Sequence, residues 1–547
     1  MRASGPPRLR YEIGGEARGL RRGDVTAPSG AISVLICSRP KAGQNGLGQA
    51  RGELVRVSCN DVTEEGQDLL AHANAALSSG DFEGARRILT SVDDVSSVPE
   101  ARMLLGALAF ADERFAEAQE HWEAAFQSFR DQDNFRGAAY AATSLGMLQY
   151  DALGNESASR GWLSRAERLL ERTGRCVERG YHELALVACN VRDVSALEES
   201  AAVALDLAIE FHDPDLEARA LADGGLALIS QGQLAKGFAR LDEAMVPVSA
   251  GEIRNPMIGG TIFCALLTAC ERTGELRRAK EWTDACRNFA STRLDDFPVL
   301  HAHCRLAYGT VLCDAGEWTE AETEMLAVLG PSSTACVPKL ADGAAALATL
   351  RLMQGRLAEA AELLAPYEDR FEVCEPLARL HYIRGALDRA AALIDDALQQ
   401  LVGDRLRAGR LLGLLVEVEL ARGDVDAASG TAERLFDYAA ESDSAILCAQ
   451  AKLADGRVAM RRGDVDSAVS AFEGARADLA AGERPMLGAT IGLELGHVLA
   501  DTGQMETAAE EGRAALACFA RLGASAEVER AQALLRRLGA SETQSAI

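Results

Sequence analysis

The residues of this chain best suited to chemistry lie in one stretch, His301-Ala302-His303-Cys304, with Cys264, Cys270, Cys286 and Cys313 in the same or neighbouring segments. Imidazole and thiolate are the ligand types of zinc, so the first question is whether they can converge. On a helix, positions two apart point in different directions, and His301 and His303 therefore cannot hold one ion together. His301 and Cys304, three apart, share a face, but a zinc site would need two further ligands from other helices. Cys264, Cys270, Cys304 and Cys313 fall at mainly apolar positions, where a thiol packs as a small hydrophobe. Core packing is the expectation, with no metal, no cofactor and no catalytic residue. No serine stands in Gly-x-Ser-x-Gly, no His-Glu-x-x-His occurs, and the carboxylates fall on outward helix faces where charge runs are solvated. The chain is expected not to be an enzyme.

The frame that carries these residues is repetitive. A unit Gly-acidic-apolar-x-x-Ala recurs as Gly316-Glu317-Trp318 with Ala321, Gly423-Asp424-Val425 with Ala428, and Gly463-Asp464-Val465 with Ala468. Looser copies begin at Gly80, Gly232, Gly274, Gly355, Gly385 and Gly503. Each reads as a helical hairpin: the glycine takes the left-handed conformation that ends a first helix, the acidic residue suits the positive end of the next, and the apolar residue anchors the turn. Around Leu104 to Phe126, Gly106 and Ala118 are small because two antiparallel helices cross closely there, while Trp122 and Phe126 fill the wedge against the following hairpin. The fourth unit, at Arg192-Asp193-Val194, has no glycine and carries Leu197 at the small position, so a looser crossing is expected. Spacing shortens towards Gly385, which predicts a bend. A final helix over Ser525 to Leu538, with Ser525 as N-cap, is expected to close the array.

A period of roughly 40 residues overrides the several domains that 547 residues would otherwise suggest. Only 14 prolines and 5% aromatic residues favour helix and leave little for a sheet. The net charge of −25 opposes binding to nucleic acid or to anionic membrane surfaces, which draw affinity from clustered cations. No run of 18 apolar residues exists, because Glu417 and Glu419 interrupt the best stretch, Leu411 to Leu420. Thirteen cysteines without a Cys-x-x-Cys pair predict reduced thiols and a cytoplasmic protein. Residues 1–58 differ: ten Arg and Lys, from Arg2 to Arg56, sit among Gly, Pro and Ser without helical periodicity, and they read as a disordered basic extension. The expected organisation is this extension at 1–58, one solenoid at 59–538 and a flexible tail at 539–547.

Gly106, Ala118 and the Gly-acidic-apolar turns resemble the tetratricopeptide repeat in its longer form. The resemblance implies an all-α fold, a right-handed α-solenoid of about twelve tetratricopeptide-like helical hairpins. Gly161-Trp162-Leu163-Ser164-Arg165-Ala166-Glu167-Arg168-Leu169-Leu170, Leu241-Asp242-Glu243-Ala244-Met245 and Arg278-Ala279-Lys280-Glu281-Trp282 are similar to the sensor region of actinobacterial LuxR-type transcriptional regulators. Such regulators continue into a helix-turn-helix domain, which does not follow Arg537-Leu538-Gly539 here, and no Walker A motif precedes the array. The resemblance thus implies either a scaffold or a ligand-sensing part that would work with a full-length regulator.

In a superhelix of this kind the first helices line the concave groove. That places Met103, Phe110, Tyr140, Thr143, Met147 and Tyr150 in it, where Tyr and Met suit contact with a protein or peptide ligand. Farther on, Arg219, Thr261, Thr268, Arg272, His303, Thr310 and Asp314 make a mixed polar lining. The Lys and Asn positions of chaperone-clamping relatives hold Thr143 and Met147, Cys264 and Thr268, and Leu306 and Thr310, which disfavours a carboxylate clamp. A protein-binding adaptor, without direct nucleic-acid or membrane contact, is the expected function.

Overall fold

The computed structural model describes residues 64–91, 98–189, 193–282, 298–330, 337–479 and 484–539. The basic extension expected at 1–58, Cys286, the His301 side chain and the tail from Ala540 lie outside the described residues. Among the described residues there is no strand, only an isolated bridge between Asp193 and Val402.

Helices pair in order into antiparallel hairpins, an all-α solenoid. The first four are Glu64–Ser79 with Phe82–Thr90, Pro99–Ala111 with Phe115–Asp131, Phe135–Asp151 with Glu156–Leu170, and Val177–Ala188 with Val194–Phe211. The next four are Pro214–Ser230 with Leu234–Ala250, Pro256–Thr273 with the helical stretch 276–282, Pro298–Asp314 with Trp318–Leu329, and Val337–Met353 with Leu357–Leu364. Hairpins nine to twelve are Cys374–Ile383 with Leu387–Gln400, Arg405–Arg422 with Val425–Ala440, Ala445–Arg462 with Val465–Asp478, and Pro485–Asp501 with Met505–Leu522. A terminal helix, Ser525–Arg537, packs on the twelfth.

The loop signature works as its residues dictate. All nine glycines of the repeated unit have φ between 72° and 86°, the left-handed region that any side chain would strain. In hairpin two, Glu113 takes the same place at φ 58°. The acidic residue acts as a hydrogen-bonding N-cap where it is short: Asp81, Asp424 and Asp464 accept the N–H groups of Gly84, Ala427 and Ser467 at 2.7, 3.0 and 3.2 Å. Glu317 stands at the same position without a side-chain cap. Trp318, the anchor after it, is buried and donates its indole N–H to the Cys313 carbonyl at 3.0 Å.

Close crossings follow the small residues. A methyl group at Gly106 would run into the Trp122 ring, whose N–H already donates to the Met103 carbonyl at 3.1 Å. Phe126 meets Trp162 of the next hairpin edge to face, with centroids 5.3 Å apart, as the wedge position requires. In hairpin four, Leu197 joins Val187, Val194 and Ala227 in an apolar cluster of its own. The shortened unit is built from the eight-residue helix Leu357–Leu364 and the ten-residue helix Cys374–Ile383, joined by 3-10 turns at Ala365–Tyr367 and Phe371–Val373.

Ser525 departs from expectation. The N-cap of the terminal helix is Ala524, and it makes no side-chain cap. The Ser525 hydroxyl instead donates at 2.7 Å to the carbonyl of Gln354, in the loop of hairpin eight, because successive coils of the solenoid touch there.

That contact is one of a series. Val194 N–H donates to Val402 O at 2.9 Å, Arg405 donates to Gln231 O at 3.0 Å, and Ser442 Oγ donates to Gly232 O at 3.0 Å. Asp443 accepts the N–H groups of Leu234 and Ala235 at 2.6 and 3.0 Å. It thereby caps, from another coil, a helix whose own N-cap Gln233 offers no side-chain bond. Arg484 pairs with Asp314 at 2.6 Å, and Met257 at the start of hairpin six packs against the core of hairpins one and two. Loops within one hairpin therefore dock on loops between hairpins one coil further along.

Candidate functional site

The first helices of neighbouring hairpins pack side by side. The residues along them divide into an aromatic N-terminal part and a charged remainder.

In the N-terminal part, Met103 is 5% exposed beneath Trp122, and Phe110 stacks between Phe115 and Trp122 at 5.7 and 5.9 Å. Tyr140 lies half-buried, edge to face with Tyr181 at 5.9 Å. Burial, then Asp213, pushes the Tyr140 phenol up to about 12, so it stays a neutral donor. Tyr181 donates to Asp213 at 3.3 Å. Thr143 is 5% exposed and meets His182 Nδ1 at 3.2 Å, while Glu167 approaches the other ring nitrogen at 3.1 Å. Met147 receives the Cys189 thiol at 3.6 Å, and Tyr150 is half-buried at the end of the same helix. Phe110, Tyr140, Met147 and Tyr150 therefore keep some accessible surface, whereas Met103 and Thr143 stand behind them in the hairpin packing.

The polar residues expected farther along pair with partners the sequence did not reveal. Thr268 and His303 Nε2 are 2.9 Å apart, and Lys339 Nζ lies 3.3 Å from His303 Nδ1. An ammonium only donates, so Nδ1 accepts and Nε2 carries the proton given to Thr268. Thr268 passes its own proton to the Cys264 carbonyl at 2.8 Å, and Lys339 also reaches Asp342 at 3.0 Å. Burial, with Lys339 beside it, holds His303 down to about 3. The histidine is thus a neutral link between three first helices and has no lone pair free for a metal. Among the described residues no group of three or more His, Cys, Asp or Glu is arranged to hold a metal ion. Cys270 and Cys313 are buried, and burial pushes Cys270 up to about 12, which leaves its thiol protonated.

First helices of successive coils come within reach of each other. Arg272 of hairpin six pairs with Asp404, at the start of hairpin ten, at 3.4 Å. Asp404 is buried and also caps its helix by accepting Arg407 N–H at 2.9 Å. Burial would raise its carboxyl, but Arg272 and Arg407 hold it below the usual carboxylate range. Asp151 of hairpin three is pushed up by the protein crowding round it, with Lys339 and Arg219 pulling the other way. Glu271 faces Arg410, which also pairs with Glu375 at 3.3 Å.

In the last coil one charge per unit alternates in sign. Arg379 meets Glu417 at 3.5 Å, Glu417 meets Arg457 at 2.9 Å, Arg457 meets Glu494 at 3.2 Å, and Glu494 meets Arg530 at 3.3 Å. Lys339, Asp342, Asp151, Asp404 and this ladder all escaped the sequence reading. The ladder alone left a signal, five opposite charges recurring at about the repeat length.

Among the described residues no helix is long and apolar enough to cross a membrane. No family model matches the chain, and no curated protein is similar to it. Solved structures similar to it include the Cut9-Hcn1 hetero-tetramer of APC/C, 13% identical over 87% of this chain and 96% of that one, with a TM-score of 0.45. Yeast Tom70 is 13% identical over 86% of this chain and 97% of its own, with a TM-score of 0.32.

Proposed function

We infer that the chain is a protein-binding scaffold whose ligand is a protein or peptide segment held along the first helices, inside the coil. What supports this reading is that Tyr140, Met147 and Tyr150 stay half-buried along one first helix, while Thr268, His303 and Lys339 link the first helices of hairpins six to eight. Amphipathic tyrosines and a flexible methionine at one end, and fixed donors and acceptors farther on, suit a ligand that runs along the repeats. Affinity capture from native lysate tests it. The wild type is expected to retain partners that a Tyr140→Ala/Tyr150→Ala double variant loses, and identical partner sets would show the assigned face to be wrong.

The similarity of 161–170 and 241–245 to LuxR-type sensors favours a second reading, in which the solenoid senses a ligand for a transcriptional regulator and pairs with a full-length one. Co-purification of a helix-turn-helix protein would support it. With a net charge of −25, direct and salt-sensitive DNA binding by this chain alone is not expected in a mobility-shift assay.

A further inference from the structure

The contacts between coils bear directly on how a ligand could reach the concave face. Arg272 and Asp404 bridge from one coil to the next, and Glu271 faces Arg410 in the same region. A polypeptide backbone with side chains needs about 10 Å of clear width, the spacing of packed sheets, and walls joined by such a bridge do not leave it. The coil is held in this state at its loops by few, identifiable groups. Asp443 caps the helix Leu234–Ala250 from across the gap, Ser442 and Arg405 bond the carbonyls of Gly232 and Gln231, Arg484 pairs with Asp314, and Ser525 bonds Gln354. Each joins residues of different coils, with sequence separations of 171 to 210 for the hydrogen bonds among them. None of them lies within a hairpin core, so they can open while each hairpin keeps its own packing.

We propose that these loop contacts form a latch that gates the concave face: the closed coil excludes a polypeptide, and parting the coils at Asp443 and Arg484 admits it. That the gate serves binding rests on the function inferred above. Two features favour opening as a discrete event. The hydrogen bonds and the ion pair of the latch are exchanged for water on opening at small net loss, and only the apolar contact of Leu522 and Pro485 beside Gly316 must be broken with them. Within one coil each hairpin packs on its neighbours along the chain, so once the contacts between coils part, a small change in each interface accumulates into a large change of pitch.

Cys264 reports on the gate. It is half-buried on the first helix of hairpin six, bordering Arg219 and Lys339, whereas Cys270 on the same helix is fully buried in the core. Labelling of the whole chain with N-ethylmaleimide, read peptide by peptide, separates opening of the coil from unfolding of the hairpin. In an Asp443→Ala/Arg484→Gln variant, Cys264 is expected to react roughly tenfold faster while Cys270 stays protected. Solution scattering should show a longer particle with unchanged helix content. If that variant fails to fold, wild type carried from about 0.05 M to about 0.5 M salt provides the second measurement, since screening weakens the partly buried Arg484–Asp314 pair and should speed Cys264 labelling about twofold. Equal Cys264 rates in both comparisons, with an unchanged scattering length, overturn the gate. Faster Cys264 labelling with unchanged partner capture would support the gate and sink the binding role given to the concave face.

Discussion

The loop glycines of the middle hairpins and those of the last hairpins share one backbone conformation but have different surroundings. Gly316 and Gly463 have φ of 85° and 76°, each closing a first helix ahead of an acidic residue. Around Gly463 there is open space. Beside Gly316, a methyl group would come within 2.8 Å of Leu522 and 2.9 Å of Pro485, which belong to the next coil. The same division holds for Gly232 against Ser442 on one side and for Gly423 and Gly503 on the other. A single sequence signature thus does one task at the end of the solenoid and two in its middle, where the glycine also lets coils approach.

The largest expected effect follows from that difference. Gly463→Ala should cost about 1 kcal/mol, the strain of a left-handed alanine. Gly316→Ala adds a clash with Leu522 and Pro485 and should cost about 3–4 kcal/mol. Urea unfolding of the two variants side by side measures the gap, and equal losses would show that the coils are not in contact at Gly316.

How much of this was legible follows the range of the interactions. Gly, Asp and the anchoring Trp318 or Val425 act within about ten residues, so their roles could be read from local order. Gly106 against Trp122 spans one hairpin and was also visible as a pattern of sizes. Nothing in its local sequence marks Asp443 as a cap, because the helix it caps begins 209 residues earlier. Ser525 was misread for the same reason: its position beside a helix start is typical of a cap, but its nearest acceptor lies in another coil. The polar character of Thr268 and His303 was legible and their pairing was not, since Lys339, 36 residues on, could be assigned to His303 only once the first helices were seen side by side.

Acid should separate the two ends of the molecule. Burial holds His182 of hairpin four down to about 4, below its ordinary 6.5, so the unfolded chain takes up that proton first as pH falls. The stability it supports is whole above pH 6.5 and declines towards pH 4, by on the order of 3 kcal/mol. In the last coil, burial would raise Glu417, but Arg457 and Arg379 hold it below its ordinary 4.5, and its contribution is lost only beneath that value. Hydrogen exchange at pH 5 should therefore show residues packed on His182 losing protection relative to hairpins ten and eleven, by less than His182 alone would give because the raised carboxyls of Asp151, Glu178 and Glu183 pull the other way. A His182→Gln variant should lose this acid response, and an identical response would assign it to another group.

A smaller effect distinguishes caps within a hairpin from the cap between coils. Asp424→Ala removes a bond to Ala427 in its own helix and should cost about 1 kcal/mol. Asp443→Ala removes two bonds from a helix elsewhere in the chain and should cost about 1–2 kcal/mol. The sharper readout is location. Exchange should quicken at Leu234 and Ala235 in the second variant, and protection there that matches wild type would rule out capping across coils.

Ser525→Ala is the smallest change and separates the two roles this residue has been given. As an N-cap it would stabilise its own helix alone, and its loss would loosen residues 525–530 by about 1 kcal/mol. As a bridge to the Gln354 carbonyl it contributes a similar amount, about 0.5–1.5 kcal/mol, but shares it with hairpin eight. The total therefore does not decide between them, and the distribution does. Exchange in the variant should quicken around Gly355 and Arg356 as well as at the terminal helix, because the contact that spaces the coils there has gone. Loosening confined to the terminal helix would return Ser525 to the local role that its sequence position implied and would remove the last coil contact from the latch.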